Sequence, residues 1–191
     1  MATKKVFLEI GTCDFDTCLP LCQGDWRGYM IEANPRYASA IAQECHDAAA
    51  DIEVYNCAIS DYDGDIEMIT SKTEGMPDWV RGISHISSKN HKGARLLENE
   101  KNLKFAGEKI TVPCMTLDSF IEQAEIDHLD LLKVDVEGHE MNIFGDYSWN
   151  LKPSLVKVEH SHIDEKPLVE ILSREGYLVW VERNDIYGVL K

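Results

Sequence analysis

The sequence of 191 residues predicts an α/β fold, a mostly parallel sheet covered by helices and closed at one edge by a C-terminal antiparallel hairpin. Three observations predict it. Short apolar runs alternate with helix-periodic stretches, the pattern of strand–helix–strand units with helices on both faces. Four runs end in an acid, at Glu9, Glu32, Asp135 and Glu159, and ligands bind at the carboxyl ends of strands in such sheets. The last segment, "YLVWVERNDIYGVLK", reads as two strands around Asn184-Asp185.

"KVFLEIG" is an apolar strand that stops at Gly11, and "GYMIEANP" is a second ending in Glu32. "RYASAIAQECHDA" carries apolar residues at helical spacing just after Pro35, a residue suited to the first helical position. "IEVYNCAIS" reads as a third strand and "GDIEMIT" as a fourth, joined by "DYDG". Residues 72–108 are polar and glycine-rich without sustained periodicity, which suggests a lid or substrate loop with a short helix near 92–102. "KITVPCMTLDSFIEQ" reads as strand then helix, with Thr116 as N-cap. "LDLLKVDVEG" is a buried strand, "HEMNIFGDY" a short helix and "SLVKVEH" another strand. "DEKPLVEILSREG" is a helix closed by Gly176. The whole chain, 1–191, is expected to form one domain.

The formal net charge of −15, from 34 acids and 19 bases, argues against a general nucleic-acid binder, which needs a basic footprint. Six cysteines are scattered without a C-x-x-C pair or zinc-finger spacing, so reduced thiols are expected and no metal site. The first residues run directly into a strand, and no apolar stretch reaches the roughly 20 residues of a membrane helix. A cytoplasmic protein without a membrane partner is the expectation.

Gly11 and Glu32 form a first constellation. A glycine turn after the first strand allows close backbone approach, and an acid about 20 residues on accepts ribose hydroxyls. NAD and S-adenosylmethionine both offer a ribose. A dinucleotide also needs glycines and a helix N-terminus for its pyrophosphate. Here "GTCDFDT" puts Asp14 and Asp16 in that place. Their charges oppose pyrophosphate but suit a cationic sulfonium.

"FLEIGTCDFDT", "MIEANP", "NCAISDYDG", "TLDSF" and "LLKVDVEGHE" stand in the order and spacing of the FkbM family of S-adenosylmethionine-dependent methyltransferases. The chain resembles that family over nearly its whole length, most specifically in K-x-D-x-E-G. The resemblance implies a class I methyltransferase (Rossmann-like) sheet and O-methylation of a hydroxyl on a sugar or other small metabolite. It implies that Glu9, Gly11 and Thr12 line the methionine part of the cofactor, and the charge of Asp14 suits a place beside the sulfonium. Glu32 would hold the ribose, with Ala33 and Asn34 in the next turn. Cys57 and Ala58 would flank adenine, and Asp135 and Glu137 would stand at the methyl-transfer face. One departure is Phe15, where the family usually has a second glycine.

Methyl transfer to a hydroxyl calls for a general base within hydrogen-bond reach. The candidates are Asp135, Glu137, Glu159, His160 and His85, with the histidines favoured because they titrate nearest neutrality. A divalent metal on Asp135, Glu137 and His160 is the less favoured arrangement. Two other readings stand beside the methyltransferase: an NAD-type oxidoreductase, and a non-catalytic nucleoside-binding protein on the same fold.

Overall fold

The structure, a computed structural model, describes residues 4–13, 17–70, 84–86 and 108–191, with 84–86 as backbone alone. In chain order the elements are β1 (Lys5–Ile10), a 3-10 turn (Leu19–Gln23), β2 (Trp26–Ile31), α1 (Pro35–Asp47), β3 (Ile52–Tyr55), β4 (Ala58–Ser60), β5 (Gly64–Thr70), β6 (Ser84–Ile86), β7 (Glu108–Thr116), α2 (Leu117–Gln123), β8 (Leu131–Val134), α3 (Glu140–Asp146), β9 (Leu155–Glu159), α4 (Glu165–Arg174), β10 (Tyr177–Glu182) and β11 (Asp185–Leu190). The expected helix at 92–102 and most of the 72–108 stretch lie outside the described residues.

Seven strands form the main sheet in the order β10-β11-β9-β8-β1-β2-β3. The run from β9 to β3 is parallel, and β11 pairs antiparallel with both β9 and β10. This is the class I methyltransferase arrangement. Strand alternation sorts the core into two layers. Val6, Leu8 and Ile10 face one side with Leu132, Val134, Val156 and Val158, against Phe120, Ile143, Phe144, Leu168 and Leu172. Phe7 and Met30 face the other, against Tyr37, Ile41 and Cys45 of α1. Burying each such large side chain contributes roughly 1.5–3 kcal/mol, so strands apolar on both faces belong in the middle. None of the six cysteines is in a disulfide, and Cys18, Cys45, Cys57 and Cys114 are buried. Among the described residues no helix is long and apolar enough to cross a membrane.

The stretch 52–60 differs from the single strand expected. β3 stays in the main sheet, whereas β4 leaves it for a second sheet in the order β4-β7-β5-β6. The break falls at Asn56, whose side-chain amide donates to the carbonyls of Glu32 and Ala33, both at 2.9 Å. β5 and β7 run antiparallel as far as Thr70 opposite Glu108, where the Thr70 hydroxyl donates to the Glu108 carbonyl.

Candidate active site

Gly11 sets the floor of the site. β1 ends at Ile10, and Gly11 turns the chain at φ +80, with its N–H on the Ile31 carbonyl at 2.9 Å. The Asp135 N–H donates to Ile10 O at 2.9 Å. A Cβ on Gly11 would lie 1.8 Å from the Asp135 carbonyl oxygen. Three strand ends therefore converge at a point that only glycine can fill. Gly11, Thr12, Glu32, Ala33, Cys57, Ala58, Asp135 and Glu137 line one pocket there, joined by Cys13, Tyr37, Met68 and Lys133.

Glu32, 6% exposed, accepts from the Cys13 N–H at 2.9 Å and the Asn34 N–H at 2.7 Å. It thereby ties the turn after β1 to the start of α1. A carboxylate at the end of the second strand, beside the glycine turn after the first, suits a ribose diol. Cys13 follows at φ +49, an unusual backbone for a side chain with a Cβ. Opposite, Ala33, Cys57, Ala58 and Met68 make a wall that suits an aromatic base. Burial pushes the Cys57 thiol up to about 11, so it is neutral there. The residues fit an uncharged nucleoside end and an acidic end for a cation.

Two residues expected to bind cofactor stand elsewhere. Glu9 is fully buried and is not among the lining residues. It shares the Phe7 face of β1, opposite Lys133 in register, and bonds the Lys133 ammonium at 2.9 Å and the Cys18 N–H at 2.8 Å. Burial raises the Glu9 carboxyl, and Lys133 opposes that. The pair sits behind the pocket, and only Lys133 reaches its wall. Asn34 is the N-cap of α1, its side-chain oxygen accepting from Arg36 N–H at 3.1 Å. Its carboxamide serves the helix rather than the pocket. Asp14 lies outside the described residues, and His85 enters only as a backbone position of β6 opposite Ile69.

Asp135 follows β8, and its carboxyl is strongly perturbed. Burial, then the nearby Glu137 and Glu159 carboxylates, raise its carboxyl to about 7, against an opposing contribution from Lys133. Glu140 is fully buried at the start of α3 and reaches back to the N–H groups of Val136 and Gly138, at 3.2 and 3.1 Å. Burial raises it to about 7 as well. Glu137 adopts φ +55, and its Oε2 lies 2.9 Å from His162 Nε2.

Glu159 and His160, expected as catalytic, do not line this pocket. Glu159 accepts from the Ser161 N–H at 2.9 Å, and the His160 N–H binds the Asn184 carbonyl at 2.8 Å. Glu159 Oε2 and His160 Nε2 are both buried without a hydrogen-bond partner. β9 ends at Glu159 and the chain turns there, with the Ile163 N–H on the His160 carbonyl, so His160 and His162 stand in a turn and not on the strand. Among the described residues no group of three or more His, Cys, Asp or Glu is placed to hold a metal ion. Sequence reasoning missed Lys133, whose signal was its position two residues before Asp135. It also missed Tyr37 and Met68, which carry no chemical signal of their own.

The two carboxyls raised to about 7 predict a pH-dependent stability. Ordinary carboxylates ionise near 4, so between about 4 and 7 the unfolded chain has lost protons that folded Asp135 and Glu140 retain. The stability that these two groups contribute is therefore fully present below the lower value and is lost as pH rises through about 7. Denaturant unfolding at pH 5 and pH 8 should show this loss, and Glu140→Gln should show less of it. Equal slopes for both proteins would remove Glu140 from the account.

Against known proteins, a family model described as the methyltransferase FkbM domain matches residues 6–179. Curated proteins give no match. Among solved structures, the precorrin-6y C5,15-methyltransferase of Geobacter metallireducens GS-15 superposes with a TM-score of 0.50 at 13% identity, over 99% of this chain and 80% of that one. A SAM-dependent methyltransferase of Aquifex aeolicus gives 0.47 at 10% identity, over 100% and 85%. At these identities the likeness is one of fold.

Proposed function

Since the chain belongs to the FkbM methyltransferase domain family and is an S-adenosylmethionine-dependent methyltransferase, we propose that it methylates a hydroxyl of a sugar or other small metabolite, with Asp135 as the base. The nicotinamide reading gives way to this one. S-adenosylmethionine, when bound, supplies an electrophilic methyl group on a sulfonium. Glu32 accepts from the ribose hydroxyls, and Ala33, Cys57, Ala58 and Met68 shape the adenine wall. Gly11 and Thr12 leave room for the amino-acid end, and the Asp135 and Glu137 carboxylates favour a cationic centre beside them.

The observation that carries the reading is the placement of Asp135. It lines the same pocket as Gly11 and Glu32, and its carboxyl is held at about 7 by burial among other acids. Such a group is ionised in a useful fraction at neutral pH and is a stronger base than an ordinary carboxylate. Asp135 would take the proton that the acceptor hydroxyl loses as it receives the methyl group. Glu159, at the end of β9, stands close enough to raise Asp135 as well.

The test is transfer of labelled methyl from S-adenosylmethionine to a panel of polyols, sugars, amines, thiols and carboxylic acids. The expected product is a methyl ether, stable to base and obtained from the hydroxylated members. Label found only on nitrogen, sulfur or a base-labile ester would overturn the hydroxyl assignment.

A further inference from the structure

We propose that His162 is a positioning residue for the transfer step: its ion pair with Glu137 fixes that carboxylate at the pocket rim and cancels its charge beside Asp135. The inference rests on the reading of Asp135 as the base.

The geometry is specific. Glu137 lines the pocket two residues after Asp135 and holds φ +55, a conformation that persists in a non-glycine residue only when its surroundings impose it. The His162 contact at 2.9 Å is one such constraint. Gly138, at φ +100, is another: a Cβ there would sit 3.2 Å from His162 Cβ, so the glycine lets the turn after β9 close against the turn after β8. The two side chains are 32% and 27% exposed, which places the pair at the mouth of the site and not on open surface.

The charges nearby give this contact its consequence. Asp135 is faced by Glu137 and by Glu140 of α3, by Glu159 at the end of β9, and by Lys133 on β8. The Lys133 ammonium is already bound to buried Glu9. His162 faces Glu137, Glu159 and Glu140, and its hydrogen bond to Glu137 raises its affinity for a proton. Protonated, it is the cation that offsets the acids on the β9 side. Without it, an uncompensated Glu137 stands two residues from the base.

The role predicts opposite effects of two isosteric changes. His162→Gln keeps an N–H donor and removes the cation, so Asp135 should ionise at higher pH. Glu137→Gln removes the repelling anion, so Asp135 should ionise at lower pH. Each midpoint should move by on the order of one pH unit. The double variant should lie closer to Glu137→Gln than to His162→Gln, because the anion bonded to His162 is gone and only the more distant Glu159 and Glu140 remain. His162→Lys, which restores a cation, should return the midpoint toward wild type.

The experiment is a carbon-13 NMR titration of the Asp135 carboxyl in the cofactor-free protein, paired with the pH profile of kcat/KM. Midpoints that separate in opposite directions, with the rising limb of the profile following them, support the inference. An unmoved midpoint, or movement in the same direction in both variants, marks a merely structural pair and overturns it. Should Glu137→Gln not fold, the contrast between His162→Gln and His162→Lys decides alone. Carboxyl midpoints that separate while the rate profile stays fixed support the coupling and instead remove Asp135 as the base.

Discussion

Gly11→Ala is expected to lower the melting temperature by about 10 °C and to weaken S-adenosylmethionine binding at least tenfold. Two costs add. A left-handed backbone costs an alanine about 1–2 kcal/mol, and Gly11 holds φ +80. The new methyl would also stand 1.8 Å from the Asp135 carbonyl oxygen, a main-chain atom that no rotamer change can move aside. Overpacking of this kind costs about 1–3 kcal/mol, for a total near 3 kcal/mol. The relief would come from separating β1 from the segment after β8, which moves Asp135 away from the pocket it shares with Glu32. Thermal unfolding and calorimetric titration with S-adenosylmethionine check both halves. Wild-type stability with lost binding would mean that the strain is absorbed locally. Wild-type binding would remove Gly11 from the cofactor site.

Asp135→Asn is expected to lower kcat by about 10²- to 10⁴-fold, the usual worth of a general base, with cofactor affinity changed only a few-fold. It should also leave the protein no less stable at pH 8. The wild-type carboxyl is raised to about 7 because burial and three neighbouring acids oppose its charge. Above that pH the folded state holds an ionised group that it disfavours, and asparagine removes the charge while nearly preserving shape. Single-turnover methyl transfer and unfolding at pH 8 read the two effects separately. Slow transfer in a destabilised variant would indicate a structural role. Wild-type turnover would move the search for the base to Glu159 and the turn that follows it.

How far the sequence could be read depended on the range of the interactions. The strands and their acid ends follow from local periodicity, and the parallel order then brings Gly11, Glu32 and Asp135 to one edge. The division of 52–60 between two sheets was not legible. Both halves suit a strand, and the bend depends on Asn56 bonding carbonyls at positions 32 and 33. The inward turn of Glu9 was hidden for a similar reason, since its partner Lys133 lies 124 residues away. Asn34 is a different case. An asparagine immediately before a proline at the first helical position is a capping signal in its own right, and the structure uses it as one. His162 required the end of β9 to be known to the residue, and strand ends are where local patterns are weakest.

The closing contact between Thr70 and Glu108 bears on engineering. The two residues face each other across β5 and β7, joined by the Thr70 hydroxyl. Thr70 and Glu108 thus fix two neighbouring chain positions on one antiparallel framework, and β6 joins the same sheet through β5. The entropy of closing a loop between fixed points grows only slowly, by about 0.6 kcal/mol for each doubling of length. Residues inserted between those two positions, outside β6, should therefore cost the framework little stability.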